Sequence, residues 1–205
     1  RIAAPVICMP GNHDVPLWNP LARFFWPFAG FRRHFGPVLT PVARAGEVRV
    51  MALNSTDPYA WQRGKIRDGE IGRLIGNVDP LGTNIVALHH PLQHLPRVTK
   101  VPARRASEAL YRLEASGVHV ILSGHLHRWA VDELLATGRH PRLLQIQTGT
   151  ALCARVSDMR NEFVVIDVDG PALTLERHAA PMESRDFDAP EIARYSRASG
   201  VWRRV

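Results

Sequence analysis

Apolar residues recur along the chain in short runs of strand length, each broken by turn residues within a few positions. Such runs stand at Val6–Met9, Val48–Leu53, Ile85–Leu88, Val118–Leu122, Leu143–Ile146, Phe163–Val168 and Leu173–Glu176. Between some of them the period lengthens to that of a helix. Gly69–Ile75 follows an Arg-Asp-Gly turn, and Ser107–Ala115 opens on a residue suited to cap a helix and stops before Gly117. Strands alternating with helices predict a parallel α/β arrangement in the first part. Asp169-Gly170, set between two strand-like runs, predicts an antiparallel hairpin near the end. The expected fold is α/β with mixed β-sheets.

The segments between these runs read differently from one another. Pro37–Gly46 and Pro96–Arg105 are expected as loops, the second long and basic enough to form part of a site rim. Residues 181–205 mix charges with Pro190 and Gly200 and are expected as a surface tail anchored at Val201-Trp202. No repeat, low-complexity stretch or Gly/Ser-rich linker divides the chain, so residues 1–180 are expected as one core. The aromatic segment 17–35 holds Trp18, Phe24, Phe25, Trp26, Phe28, Phe31 and Phe35. Packing over the core is its favoured role, ahead of a subunit contact, which makes it the expected route to a homodimer, and of a membrane-surface element.

Composition narrows the picture modestly. A chain of 205 residues with 45% hydrophobic content suits one substantial core. No run of about 18 apolar residues occurs, so no transmembrane segment is expected. Two cysteines, Cys8 and Cys153, are too few for a disulfide framework, and Cys8 is expected as a buried, inert thiol. The net charge of +7 favours anionic partners, from phosphoesters to nucleic acid, although the basic residues are scattered. With no signal peptide legible, the cytoplasm is the expected location.

Chemistry enters where three of the apolar runs end. Val6–Met9 leads through Pro10-Gly11 into Asn12-His13-Asp14, Ile85–Leu88 into His89-His90-Pro91, and Val118–Leu122 through Ser123-Gly124 into His125-Leu126-His127. Ligand sites in open α/β sheets form beyond the carboxyl ends of the strands, so neighbouring parallel strands would bring these groups together. Residues two apart in an extended segment face the same side, which lets His125 and His127 address one site. Imidazole nitrogens with an amide oxygen suit Mn, Fe or Zn. A single histidine at a strand end is more often structural, so the weight lies on the joint occurrence.

Taken together, Gly11-Asn12-His13-Asp14, His89-His90-Pro91 and Gly124-His125-Leu126-His127 resemble the downstream motifs of the calcineurin-like metallophosphoesterases, in the family's order. The resemblance implies mixed β-sheets packed as a sandwich flanked by helices. It implies that Asn12, His89 and His125 are ligands of one metal ion and His127 of a second, the pair being divalent or trivalent Mn, Fe or Zn. His13 would contact the phosphoryl group and assist the leaving oxygen, with Asp14 orienting it. His90 would adjoin the site without ligating, and His94 would lie at its rim. The implied reaction is phosphoester hydrolysis by a hydroxide bridging a dinuclear centre. The look of GNHDVPLW, LNST and the His-His-Pro-Leu loop favours a phosphodiesterase of the bacterial 3',5'-cyclic nucleotide type, acting on a small-molecule substrate. A nuclease of the same superfamily is the nearest alternative.

The family's two opening motifs, Asp-x-His and Gly-Asp-x-x-Asp, do not occur before residue 11. Since two strand-helix units need on the order of 60 residues, the expectation is an N-terminally incomplete piece of a longer enzyme, its own activity in doubt. A non-catalytic metal-binding or scaffold domain derived from such an enzyme is the reading from another class.

Overall fold

The computed structural model describes residues 4–96, 98–152, 160–182, 184 and 186–205. Two short helices come first, α1 (Pro20–Phe25) and α2 (Ala29–Phe35). They precede a five-stranded sheet made of β1 (Val42–Ala45), β2 (Val48–Leu53), β3 (Thr83–Leu88), β4 (Val120–Ser123) and β5 (Leu144–Gln147), in that spatial order. β1 pairs antiparallel with β2, and β2 through β5 run parallel. The crossovers carry α3 (Asp68–Ile75), α4 (Ala106–Ala115) and α5 (Asp132–Leu135).

Alternation along the central strands sends neighbouring side chains into two different cores. Val86 and Leu88 pack with Met51, Ile121 and the apolar stripes of α3 and α4, namely Ile71, Leu74, Leu110 and Leu113. Ile85 points the other way, with Val120, Leu144 and Ile146, against Leu173, Leu175, Tyr195 and Trp202. Leu173, Leu175 and Tyr195 belong to a second, antiparallel sheet of β6 (Arg160–Asp169), β7 (Ala172–Pro181), β8 (Glu191–Ser196) and β9 (Arg203–Arg204), and Trp202 leads into its last strand. Sheet lies on sheet with helices outside the first, which is the mixed α/β architecture expected. Burial of each large side chain in these layers stabilises by about 1.5–3 kcal/mol, and it clamps the strand ends that carry the site.

Four local expectations need correction. Val6–Met9 is not a strand, because no described residue offers it ladder partners; Val6 is exposed and Cys8 only half-buried. Cys153 lies outside the described residues. Pro37–Gly46 is not all loop, since Val42–Ala45 folds back on β2 as an edge strand. Ser107 lies inside α4 rather than capping it: Arg105 takes the cap position at φ 66°, held by ion pairs to Asp68 and Glu108. Residues 181–205 do not simply cover the surface, because they supply β8 and β9. Trp202 is indeed the anchor, buried with its indole N–H donating to the His119 carbonyl at 2.9 Å. No helix among the described residues is long and apolar enough to cross a membrane.

Candidate metal centre

Parallel pairing of β3 and β4 places Leu88 opposite Ser123, so both strands stop at the same level. Just beyond, the Gly124 N–H donates to the His89 carbonyl at 3.0 Å, which locks the two histidine-bearing ends together. The third contributor arrives from a separate loop. Gly11–Asp14 forms a turn in which the Asp14 N–H donates to the Gly11 carbonyl and the Asp14 carboxylate accepts the Gly11 N–H at 2.8 Å. The Thr56 hydroxyl, just past β2, fixes this turn by donating to the Pro10 carbonyl at 2.9 Å.

Three ligand atoms thereby meet. Asn12 Oδ1 lies 2.8 Å from His89 Nε2 and 3.2 Å from His125 Nδ1, and the two ring nitrogens are 3.1 Å apart. Ligands at right angles around an ion bound at about 2.1 Å are separated by about 3 Å. The triangle therefore has the size of one face of a first-row metal's coordination shell. Its composition, two imidazoles and an amide oxygen, suits Zn, Fe or Mn. Burial with neighbouring positive charge keeps both rings neutral, pushing His89 down to about 3 and His125 to about 2. A neutral imidazole has the lone pair a cation needs.

His90 stands behind the triangle. Together with His89 and His125 it forms a group offering one ring nitrogen each within 4.8 Å of one another. The Ser55 hydroxyl accepts the His90 backbone N–H at 3.1 Å and lies 2.9 Å from His90 Nδ1. The His90 Nε2 is buried, and the ring offers one nitrogen to the same group of candidate ligands as His89 and His125. Burial also lowers its pKa to about 4.

His125 and His127 do not share a face by lying in an extended segment. Both occupy left-handed backbone, at φ 71° and 54°, around a tight turn closed by Leu126 N–H to the Gly124 carbonyl. Such conformations cost of order 1–3 kcal/mol each and persist only where the surroundings impose them. The surroundings here are specific. Gln147 donates to the Gly124 carbonyl at 2.6 Å, and the Lys100 ammonium donates to the His125 carbonyl at 2.9 Å.

The triangle opens into a cleft of roughly 630 Å³, lined by Asn12, His89, His125 and His127, with His13, Lys100, Leu17, Trp18, Trp61 and Gln62. All four candidate ligands and His13 thus share one wall system. Asp14 does not line it; its carboxylate holds the Gly11 turn, and among the described residues no hydrogen bond joins it to His13. His94 is exposed and outside the cleft. Lys100 comes from the basic loop expected as a rim. Trp61 and Gln62 carried no signal of their own in the sequence, and Ser55, part of LNST, gave no sign of bracing His90, because these groups act through positions that only the folded loops bring together.

A family model describing calcineurin-like phosphoesterases matches residues 1–129, and the chain belongs to that family. Among solved structures the chain is similar to a purple acid phosphatase from yellow lupin (Lupinus luteus) seeds. The identity is 14% and the TM-score 0.59, with 90% of this chain and 39% of that chain covered. It is similar also to Vps29 of Chaetomium thermophilum at 15% identity and TM-score 0.39, covering 82% of this chain and 64% of that one. The chain thus spans less than two thirds of either structure's length. Comparison with curated proteins gives no match.

Proposed function

We propose that this chain carries the metal-dependent site of a phosphoester hydrolase, with phosphodiesters, including 3',5'-cyclic nucleotides, as the substrate class. The observation that supports it most is the convergence of Asn12, His89 and His125 within 3.2 Å at the floor of a cleft that also holds His13, His127 and Lys100. Asn12, His89 and His125 would hold one ion and His127 would serve a second. Bound ions in such sites polarise phosphoryl oxygens and acidify water.

The chain's own side chains supply the rest. Lys100 brings a positive charge to the cleft and draws in the phosphate. His13, exposed on the rim, is placed to donate a proton to the leaving oxygen. Asp14 acts as a positioning residue, since it fixes the turn that presents Asn12 and His13. Trp18 and Trp61 offer aromatic faces to the organic part of the substrate.

A second reading, a non-catalytic metal-binding domain, has one observation in its favour: among the described residues, those lining the cleft include no Asp or Glu to offset a bound ion's charge. Hydrolysis of bis-p-nitrophenyl phosphate and of cyclic AMP, measured with added Mn, Fe or Zn and again after chelation, separates the two. Metal-dependent turnover that His13→Ala lowers at unchanged metal affinity supports the hydrolase. Metal binding with no turnover of either ester supports the second reading.

A further inference from the structure

Helix α1 is inverted relative to an ordinary surface helix. None of its residues is buried, and Leu21, Phe24 and Phe25 face solvent, as does Trp26 just beyond its end. Its charged residue points inward instead. The Arg23 guanidinium donates to the carbonyls of Pro58, Pro16 and Ala60 at 2.6, 3.0 and 2.8 Å. Asn19 caps the helix and Pro20 opens it, so the conformation is set largely locally, with Phe24 against the exposed Tyr59 ring as its aromatic contact. The neighbouring α2 buries Phe31 and leaves Phe35 exposed beside it. The expectation that this aromatic segment packs over the core is therefore not met for most of its rings. Large apolar groups held outward by a pinned arginine form an apolar surface that no described residue covers.

Charge selects the partner. From Val15 to Gly46 the chain carries four arginines, Arg23, Arg32, Arg33 and Arg44, and no Asp or Glu. Arg32 and Arg33 are exposed on α2. Tryptophan and phenylalanine beside arginine, with acidic residues excluded, is the chemistry of an element lying in the headgroup layer of an anionic bilayer. We infer that the α1–α2 face docks on an anionic lipid surface through Leu21, Phe25 and Trp26, with Arg32 and Arg33 meeting lipid phosphates. Leu17 and Trp18, which lead into α1, also line the cleft, so docking sets the cleft mouth at headgroup level. The inference concerns where the protein sits and holds whether or not the cleft hydrolyses phosphoesters.

The test is co-sedimentation of the full chain with vesicles of phosphatidylcholine alone and with added phosphatidylglycerol, at low and high salt. Binding to the anionic vesicles, weakened by salt, is expected. The combined variant Leu21→Ser, Phe25→Ser, Trp26→Ser should lose roughly tenfold or more of that binding, and Arg32→Glu with Arg33→Glu should abolish the preference for anionic lipid. Because α1 buries nothing and Arg32 and Arg33 are exposed on α2, both variants should keep the wild-type circular dichroism and thermal midpoint, and turnover of a soluble diester, if present, should be unchanged. Three results overturn the inference. They are no binding to anionic vesicles, binding indifferent to both variants, or a wild-type dimer in sedimentation velocity that the triple variant makes monomeric with no vesicle binding at all. The last would mark the face as a contact between two copies.

Discussion

Asn12 Oδ1 lies 2.8 Å from Nε2 of His89, although 77 residues separate them in the chain. The approach depends on the absence of a side chain one position earlier. A Cβ on Gly11 would stand 2.9 Å from both Cε1 and Nδ1 of His89, closer than such contacts tolerate. Gly11→Ala should therefore displace the His89 ring and separate it from Asn12. We expect metal affinity by calorimetry to fall by roughly tenfold or more, equivalent to about 1.4 kcal/mol. The thermal midpoint without metal should change little, because the turn lies outside both cores.

Acid should destabilise the fold over a defined window. Burial holds His89, His90, His125 and His119 neutral, with folded pKa values of about 3, 4, 2 and 4 against 6.5 for a free imidazole. His119 Nδ1 also accepts the Asn84 N–H at 3.1 Å, a role only the unprotonated nitrogen can fill. Above about pH 6.5 the rings are neutral in both states and the stability is fully present. As the pH falls below that value the unfolded chain takes up protons that the folded chain refuses, so stability drops. Urea midpoints should decline steadily from pH 7 to 5 and show no contribution from these groups between pH 7 and 8.5.

Lys100 offers a test of phosphate capture apart from metal binding. Its ammonium reaches the His125 carbonyl, and burial lowers its pKa from that of a free lysine. Lys100→Met keeps the apolar stem and removes the charge. For a soluble diester we expect KM to rise several-fold, about 1 kcal/mol of lost attraction, while metal affinity falls by less than that, because Gln147 still holds the turn that presents His125.

Glu162 ties the second sheet to the loop after β5. It is 5% exposed, accepts the Gly149 N–H at 2.6 Å and pairs with Arg177, whose guanidinium also lies over Trp129 at 5.1 Å. Removing Glu162 takes the acceptor from the Gly149 N–H, while Arg177 keeps its ion pair to Glu191. Glu162→Ala should lower unfolding stability by about 1–3 kcal/mol, measured by urea titration at pH 7.

Much of this was legible from residue order. The runs at Val48–Leu53 and Ile85–Leu88 become β2 and most of β3, because strands buried on both faces leave continuous apolar stretches. Two such runs ending in His89 and His125 pointed to one place, and the parallel register of β3 and β4 explains why, while Asn12 reaches it from a loop. Val6–Met9 misled because apolar content alone does not supply a ladder partner. β8 was missed since EIARYS, with Pro190 before it, alternates weakly and reads as charged tail. The paired left-handed turns at His125 and His127 left no trace either: nothing in Gly-His-Leu-His signals a conformation that Gln147 and Lys100 impose from elsewhere. Inversion of α1 was equally hidden, because a periodicity argument assumes that apolar residues face inward.

The central claim is that Asn12, His89 and His125 form one side of a cation site. X-ray absorption of the chain loaded with one equivalent of Zn, compared with His89→Ala and His125→Ala, tests it most directly. The account predicts histidine in the first shell of the wild type, with one imidazole fewer and much weaker binding in each variant. A shell without histidine, or one unchanged by both substitutions, would contradict it.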